Sequence, residues 1–300
     1  MEELNKLDTE QRNAVSEHID RMGTLDMVTL INREDHRCAE AVERVLPEIA
    51  KSVDLIEGQL RRGGRLFYAG AGTSGRLGVL DAAECPPTYG VSPDLVVGLI
   101  AGGEGALLKA VEGAEDSREL GRQDLIDHGF GAGDALVGIA ASGRTPYVIG
   151  AMDYARECGA PVMALTCCRN SEMSRHADVT MAPVPGPEVI TGSSRMKSGT
   201  CQKLVLNMLS TCVMVKLGKV YGNLMVDVQA TNGKLVDRAV RIVKTATGAG
   251  EEEARTALEK SGFACKTAIV MILKKVDADE ARRRLDLSGG RVAEAIGGEA

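Results

Sequence analysis

Aromatic residues are scarce in this sequence, and tryptophan is absent. Phe, Trp and Tyr together make up 3% of the 300 residues, and the formal net charge is −6. Lysine and arginine form no basic stripe. Proteins that bind nucleic acid usually combine basic patches with aromatic side chains on which bases stack. The composition therefore argues against a nucleic-acid partner, and it predicts a core of Leu, Val, Ile, Met and Ala.

The eight cysteines lack the spacing of a metal or redox motif. None belongs to a C-x-x-C pair, and most lie in apolar stretches, where a reduced cysteine behaves as a small hydrophobic residue. The four histidines share no ligand spacing. We therefore predict no metal site and a reducing, cytoplasmic location.

Long apolar runs are missing too. No stretch approaches the roughly 18 apolar residues that a membrane-spanning helix needs. The N-terminal sequence MEELNKLDTEQRN is polar and acidic, unlike a signal peptide. Hydrophobic residues make up 44% and charged residues 26%, which is typical of a globular protein. We therefore expect a globular chain with no membrane partner.

Five short apolar runs predict a parallel sheet. They are RLFYA (65–69), LVVGLIA (95–101), ALVGIAA (135–141), PVMALT (161–166) and VTMAP (179–183). Helical stretches separate most of them. Apolar strands that alternate with helices indicate an α/β fold with a doubly wound parallel sheet, covered on both faces. Ligands bind beyond the carboxyl ends of such strands, so the loops there are the place to look for chemistry.

The patterns divide the chain into four predicted segments. Residues 1–62 form an N-terminal helical segment, in which Pro47 either kinks a helix or lies in the first turn of a new one. Residues 63–220 form the sheet domain, and residues 221–250 a helical connection. Residues 251–300 form a small bundle of three or four helices, with breaks near Gly262, Val276–Asp277 and Gly289–Gly290.

A glycine-rich loop follows the first strand. Residues 70–75 read GAGTSG and fit the pattern G-x-G-x-x-G, which alone is a weak sign of a dinucleotide site. An enzyme that binds a dinucleotide would need an acidic residue near the end of the second strand to bind the ribose, and Glu104 is a candidate. A glycine loop that opens a helix also suits a compact anion, and Thr73 and Ser74 would add donors. The remaining alternative is a tight turn with no ligand.

Two further loops carry hydroxyl groups. Residues 141–146 (ASGRTP) follow the third strand, and Ser142 and Thr145 either cap the next helix or join the first loop at one anion. Residues 188–200 (EVITGSSRMKSGT) precede a long apolar helix and include Arg195 and Lys197. Because cations are unfavourable at a helix N-terminus, we expect an anion between these two. The hydroxyl-rich loops favour a sugar phosphate over a dinucleotide.

The predicted substrate site combines these loops with two carboxylates. Glu84 closes the helix that the first loop opens, because Pro86 and Pro87 are expected to stop that helix, and Glu115 follows the second strand. Taken alone, each is more often a surface carboxylate, but two carboxylates in one pocket can act as acid and base. The predicted substrate- and phosphate-binding residues are Gly72, Thr73, Ser74, Ser142, Gly143, Arg144, Thr145, Glu188, Ser193, Ser194 and Lys197.

Four long motifs carry a family resemblance. They are GRLFYAGAGTSGRLGVLDAAECPPTYG, AASGRTPYV, TGSSRMKSGTCQKLVLNMLST and YGNLMVDVQATN. From about Thr24 to the C-terminal bundle, the chain resembles the N-acetylmuramic acid 6-phosphate etherases. The resemblance implies a sugar isomerase (SIS) domain at 63–220, a ubiquitin-associated-like bundle at 251–300, and a homodimer with sites near the subunit interface. It also implies that no metal or organic cofactor is needed.

The resemblance further implies a reaction in the catabolism and recycling of cell-wall muramic acid. The ether between C3 of the sugar and its D-lactyl group is cleaved, which gives N-acetylglucosamine 6-phosphate and D-lactate. Ser74, Ser142 and Thr145 match residues that hold the phosphate in SIS domains, and Glu84 and Glu115 match the catalytic carboxylates. The C2 proton of the open-chain sugar is acidic, so we assign Glu115 as the C2 base and Glu84 as the general acid for the departing lactate.

Two other SIS-type functions remain open at this point. A sugar-phosphate-binding regulator such as glucokinase regulatory protein would resemble two SIS units in tandem, and this chain has room for one. An aldose–ketose isomerase would share ring opening and deprotonation at C2, but it would release no lactate.

Overall fold

The computed structural model describes residues 9–109, 111–227 and 233–297. They form two compact units, the first within residues 1–83 and 93–210, the second within residues 84–92 and 211–300. The described part of the first unit begins with two short 3-10 turns, followed by helices α1 (Thr24–Glu43) and α2 (Leu46–Arg61). Pro47 lies in the first turn of α2, where its missing N–H group costs no hydrogen bond. The second of the two alternatives for this proline is therefore confirmed.

The central sheet of the first unit has five parallel strands. These are β1 (Leu66–Gly70), β2 (Val96–Ile100), β3 (Ala135–Ile139), β4 (Val162–Leu165) and β5 (Val179–Met181), and they confirm the five predicted runs. Their order is β2-β1-β3-β4-β5. Gly70 pairs with Ile100 on one side and with Ile139 on the other, so β1, β2 and β3 end at the same level.

Helices cover both faces of this sheet, as the apolar strands predict. The helices that follow strands are α3 (Gly72–Tyr89), α4 (Arg118–Asp127), α5 (Pro146–Glu157) and α6 (Lys197–Lys216). On one face, Phe67 and Ala69 of β1 pack into a core formed with α4 and α5. On the other face, a Cβ atom added to Gly78 of α3 would lie 3.0 Å from the Cβ of Tyr68. Only glycine allows α3 to pack this closely on the sheet.

One sequence prediction about α3 is wrong. Pro86 and Pro87 do not end the helix after Glu84, because it continues through both prolines to Tyr89. A proline removes only its own N–H donor, and the carbonyl of Pro86 still accepts a hydrogen bond from the N–H of Gly90 at 2.9 Å. The last turn of α3 is therefore closed in spite of the double proline.

A buried carboxylate links α3 to α6 within the first unit. Asp81 accepts hydrogen bonds from the hydroxyl of Tyr68 at 3.0 Å, the amide of Asn207 at 2.8 Å and the hydroxyl of Ser210 at 3.1 Å. Burial raises the pKa of Asp81, and the three hydrogen bonds oppose that shift. This network fixes the rotation of α3 relative to the sheet and to α6.

The second unit contains a β-hairpin and a helical bundle. Strands β6 (Val220–Tyr221) and β7 (Leu224–Met225) are antiparallel and joined by Gly222 and Asn223, a hairpin that the sequence prediction missed. The helices are α7 (Gly233–Thr247), α8 (Glu251–Ser261), α9 (Cys265–Lys274), α10 (Ala278–Leu287) and α11 (Val292–Ala295). The four helices after residue 250 confirm the predicted number and breaks. Within the described parts of the chain, no helix has the length and hydropathy of a membrane span.

A buried ion pair holds the start of α6. The Lys197 side chain is 0% exposed, and its Nζ atom donates to Glu34 Oε2 of α1 at 2.6 Å. Asn13 Nδ2 donates to the same oxygen at 2.7 Å. Burial opposes the ionisation of Glu34, but the hydrogen bonds from Lys197 and Asn13, together with nearby positive charge, hold its pKa below the ordinary value. The ammonium and the carboxylate thus compensate each other inside the protein.

Replacing Lys197 by Met should destabilise the fold strongly. It would leave the Glu34 carboxylate buried without its cation, a change that typically costs about 3–5 kcal/mol. Urea denaturation at pH 7 measures the loss in the free energy of unfolding. Lys203→Met removes an exposed lysine from the same helix and should change stability by less than about 0.5 kcal/mol.

The deficit of Lys197→Met should also depend on pH. Glu34 has a lowered pKa in the folded protein, so its stabilisation is present above the unfolded value of about 4.3 and is lost as the pH falls through the folded pKa. The difference between wild type and Lys197→Met should therefore shrink in acid. Equal losses for Lys197→Met and Lys203→Met would contradict this account.

Candidate active site

A polar cavity lies where the strand order of the sheet reverses. In the order 2-1-3-4-5, the chain runs outward in opposite directions from β1 and β3, and ligands bind at this switch point. The cavity has a volume of about 250 Å³. Its lining residues are Thr9, Glu10, residues 71–74, Glu115, residues 140–142, Arg144, Thr145 and Ser194.

The loop after β1 forms one wall of the cavity. Gly72 has a φ angle of +54°, a conformation that glycine adopts without strain. A Cβ atom on Gly70 would lie 2.6 Å from the backbone nitrogen of Gly75, so the turn into α3 can be this tight only with glycine. The first N–H groups of a helix have no partner within it, and the helix dipole adds positive potential there. Thr73 and Ser74 add hydroxyl groups to this wall, whose positive potential favours an anion.

The loop after β3 forms the adjacent wall. Gly143 has a φ angle of +66°, and a Cβ atom there would lie 2.3 Å from the Cβ of Ser171. Thr145 is the N-cap residue of α5, yet its side chain makes no capping hydrogen bond. Capping was the alternative explanation for this hydroxyl, and the structure does not support it. Ser142, Arg144 and Thr145 instead line the cavity.

The third predicted loop contributes Ser194 alone. Ser193 does not line the cavity, and Arg195 is exposed elsewhere. The backbone N–H groups of Lys197 and Ser198 both donate to the buried carboxylate of Glu188 at 2.9 Å.

For Lys197, the expected anion is therefore provided by the protein. Glu188 caps the N-terminus of α6, and Glu34 neutralises the Lys197 ammonium. In this structure Glu188 and Lys197 make contacts within the protein, and neither is among the residues that line the cavity. The sequence could not show this, because Glu34 is 163 residues away from Lys197.

The two predicted carboxylates lie in different places. Glu115 follows β2 in a short 3-10 turn and lines the cavity with an exposed side chain. Glu84 is also exposed, but it is not among the lining residues. It lies ten residues after Ser74 in α3, which corresponds to about 15 Å along the helix axis.

Three residues at or behind the cavity were not predicted from the sequence. Thr9 and Glu10 line it directly, although their segment was regarded only as a polar N-terminus. Gln202 of α6 is 1% exposed and lies behind Ser74. The one signal for Gln202 was its place within the long motif TGSSRMKSGTCQKLVLNMLST.

Gln202 controls the direction of the Ser74 hydroxyl. Ser74 Oγ donates to Gln202 Oε1 at 3.0 Å, and within the described chain Gln202 Nε2 has no hydrogen-bond partner. A buried amide donor without a partner is costly. If the amide turned by 180°, Nε2 would donate to Ser74 Oγ and the hydroxyl proton would be free to donate to an anion. Anion binding would then satisfy both groups.

Replacing Gln202 by Met should therefore weaken anion binding. The substitution keeps the side-chain volume but removes the amide, so Ser74 loses the group that orients it. A hydrogen bond to a charged group contributes about 1.5–3 kcal/mol, so we expect a Kd for inorganic phosphate at least about tenfold higher by calorimetry.

Gln59→Met is the matched control for this experiment. Gln59 is another buried glutamine of the first unit, and it donates to the carbonyls of Ala132 and Asp134, away from the cavity. This variant should lower Tm without changing the Kd for phosphate. A Gln202→Met protein that binds phosphate as tightly as wild type would contradict the role of Gln202.

The cavity lining provides hydroxyl groups, N–H groups and two carboxylates. Within the described ranges, no cluster of three or more His, Cys, Asp or Glu side chains has the arrangement of a metal site. The arrangement suits a small ligand that carries a phosphate at one end and exchangeable protons at the other.

Comparisons with known families agree with this geometry. Residues 48–156 match the family described as the glucokinase regulatory protein N-terminal SIS domain, and residues 128–212 match the SIS domain family. Residues 222–267 match the C-terminal lid domain of glucokinase regulatory protein. A crystal structure from Bacteroides fragilis, assigned to the phosphosugar isomerases of capsule formation, has the same fold. It superposes with a TM-score of 0.50 at 20% identity over 65% of this chain and 91% of that one.

Curated relatives match at much higher identity. An N-acetylmuramic acid 6-phosphate etherase of Aliivibrio fischeri (strain MJ11) is 60% identical over 98% of both chains. The etherase of Clostridium beijerinckii is 57% identical over 99% of this chain and 98% of its own. Such identity over nearly the full length shows that the chain belongs to the N-acetylmuramic acid 6-phosphate etherase family.

Proposed function

We propose that this protein is a carbon–oxygen lyase that cleaves the C3 D-lactyl ether of N-acetylmuramic acid 6-phosphate. The products are N-acetylglucosamine 6-phosphate and D-lactate. One observation carries the proposal: relatives that are 57–60% identical over nearly the whole chain are etherases of this substrate. The cavity at the switch point supports it, because its lining suits a sugar phosphate.

The phosphate is held by the two loops at the switch point. Ser142 and Thr145 direct their hydroxyls toward it, Ser74 does so once the Gln202 amide has turned, and the N-termini of α3 and α5 add backbone donors. Gly72, Thr73, Gly143, Arg144 and Ser194 complete this end of the proposed site. Neutral donors provide most of the binding, since Arg144 is the one cation among the described lining residues. The bound phosphate positions C2 and C3 of the sugar for reaction.

The reaction proceeds by elimination and readdition of water. In the open-chain form, the C1 aldehyde acidifies the C2 proton, which the Glu115 carboxylate removes. The electron pair forms the C2–C3 double bond and expels the lactate oxygen, which takes a proton from Glu84. Water then adds its hydroxyl group to C3, and C2 regains a proton. Carboxylates alone carry out these steps, so the proposal includes no cofactor.

Glu84 requires a second copy of the chain to take part. Because it lies about 15 Å along α3 from Ser74, we propose that Glu84 of one subunit reaches the cavity of the other in a homodimer. Leu80 lies one turn earlier on the same face of α3 and is 54% exposed. An exposed leucine beside a catalytic carboxylate supports a subunit contact at this face.

The location of the protein is proposed to be the cytoplasm. All eight cysteines are free thiols, as expected in a reducing compartment. No feature of the described residues calls for a nucleic-acid or membrane partner.

A sugar-phosphate-binding regulator is the second candidate. The matches to both domains of glucokinase regulatory protein favour it, because that protein is named as a regulator. A regulator would bind the sugar phosphate without turnover, and an SIS-type isomerase would turn it over without releasing lactate. Lactate release therefore separates both alternatives from an etherase.

The etherase reaction should release D-lactate and label the sugar in ¹⁸O water. Elimination followed by addition of water places the ¹⁸O atom on C3 of N-acetylglucosamine 6-phosphate, and mass spectrometry of both products locates it. Label in the lactate hydroxyl would rule out the elimination, and the absence of lactate would rule out the function.

Two inactive variants should complement each other if the site is shared. Glu84→Ala should abolish lactate release while the exchange of the C2 proton with solvent continues, and Ser74→Ala should bind the phosphate too weakly to release lactate at low substrate concentration. Refolded together, they form heterodimers in which one site carries both defects and the other carries none. We expect about a quarter of the wild-type lactate release, as random pairing in a two-fold dimer predicts.

The matched control pairs Ser74→Ala with Glu115→Ala, because both residues line the same cavity of one chain. This pair should recover no activity, because each of the two sites in the heterodimer then carries one of the two substitutions. If the Glu84→Ala and Ser74→Ala mixture also stayed inactive while the dimer formed, Glu84 would act in its own subunit or not at all.

A further inference from the structure

The cavity contains a carboxylate that the proposed elimination does not use. Its ionisable lining residues are Glu10, Glu115 and Arg144. Glu115 is assigned to the removal of the C2 proton, and Glu10 has no part in the steps described above. A carboxylate repels the phosphate, so Glu10 is expected to face the carbohydrate end of the substrate.

The segment that carries Glu10 is fixed to the first unit. Thr9 is 3% exposed, and its Oγ1 atom accepts a hydrogen bond from Cys168 Sγ at 3.7 Å. Asn13 Nδ2 donates to the carbonyl of Pro187 at 3.1 Å, and Ser16 Oγ donates to the carbonyl of Val189 at 2.7 Å. Polar contacts on both sides of Glu10 therefore hold its backbone in place.

The Glu10 side chain has a defined position in this wall. Its Oε1 atom accepts a hydrogen bond from Thr9 Oγ1 at 3.4 Å. A Cβ atom added to Gly192 would lie 3.4 Å from Glu10 Oε2, so this oxygen lies beside the loop before α6. The carboxylate lies between the N-terminal segment and the loop before α6.

Glu10 and Glu115 enter the cavity from different sides. Glu115 follows β2, and its neighbour Ala114 packs in the core beneath α4 and α5. Thr9 packs on Cys168, which follows β4. In the sheet, β2 and β4 flank the central pair β1 and β3, so the two carboxylates approach a bound sugar from opposite ends of the row. They can therefore act on different atoms.

The elimination requires a step for which no residue has been assigned. The C2 proton is acidic only in the open-chain aldehyde, whereas the sugar exists in solution mainly as a closed hemiacetal. Opening moves a proton from the C1 hydroxyl to the ring oxygen O5 while the C1–O5 bond breaks. Both oxygens are attached to C1, so one carboxylate can serve both.

We propose that Glu10 opens the sugar ring, an inference that rests on the proposed etherase function. The Glu10 carboxylate accepts the proton from O1, the electron pair of the C1–O5 bond moves to O5, and Glu10 returns the same proton to O5. No atom is gained or lost. Arg144 cannot exchange protons near neutral pH, and the lining hydroxyls are too weakly acidic, so the carboxylates are the groups suited to this transfer.

Exchange between the two anomers of N-acetylglucosamine 6-phosphate tests the proposal. The anomers interconvert through the open chain, so NMR exchange spectroscopy on the product measures ring opening without the elimination. In D₂O, deuterium incorporation at C2 measures the step assigned to Glu115. The wild-type protein should accelerate both processes.

The two carboxylate variants should differ in their effect on anomer exchange. Glu115→Gln should still accelerate anomer exchange and should lose deuteration at C2. Glu10→Gln should lose at least about 100-fold of the catalysed anomer exchange, the size of a typical general acid–base effect, and deuteration should slow with it. Glu17→Gln alters an exposed glutamate of the same segment, which pairs with Arg12, and should behave as wild type.

The outcomes separate this inference from the proposed function. If Glu10→Gln exchanged the anomers at the wild-type rate, or if wild type did not accelerate the exchange, Glu10 would not open the ring, whether or not lactate is released. If wild type exchanged the anomers but released no lactate from N-acetylmuramic acid 6-phosphate, the etherase function alone would fail. Equal Tm values for Glu10→Gln and Glu17→Gln would show that unfolding does not cause the loss.

Discussion

The reversal of strand order between β1 and β3 is the constraint on which the site depends. Because neighbouring parallel strands end at one level, the turns after β1 and β3 lie side by side, and two helices begin there with unpaired N–H groups. The chain then continues in opposite directions along the sheet, which leaves a crevice between the turns. Glycine at residues 70, 72 and 143 makes these turns tight enough for backbone donors to approach a ligand. The hydroxyls of Ser74, Ser142 and Thr145 then add to a site that backbone geometry has already produced.

Charge in this unit is divided between folding and ligand binding. The N-terminus of α6 is satisfied by Glu188, and the nearby Lys197 is neutralised by Glu34 inside the protein. Neither group is available to a ligand. The described lining of the cavity instead consists mainly of neutral donors with a single arginine, so in the proposed site the carboxylates Glu10 and Glu115 have no lysine to pair with. An ammonium in the cavity would compete with the substrate for these carboxylates.

The three carboxylates of the proposed mechanism come from three parts of the chain. Glu115 follows β2, Glu10 belongs to the N-terminal segment, and Glu84 lies far along α3. Separate origins allow each group its own surroundings, which is how similar side chains acquire different protonation roles. In the proposed dimer Glu84 comes from the second subunit, because it lies ten positions, or about 15 Å, after Ser74 along α3.

The sequence by itself determined the parts of this protein that depend on local patterns. The five apolar runs predicted the strands, the glycine and hydroxyl loops predicted two walls of the cavity, and the long motifs predicted the family. Local signals were misleading where a distant partner decides the outcome. Lys197 near the start of a helix was interpreted as a cation that binds a ligand anion, but in the fold it pairs with Glu34. The double proline was expected to end α3, but the helix continues through it. Only the tertiary structure brought Glu10 to the cavity and Gln202 behind Ser74, because local sequence patterns do not encode contacts between residues more than 60 positions apart in the chain.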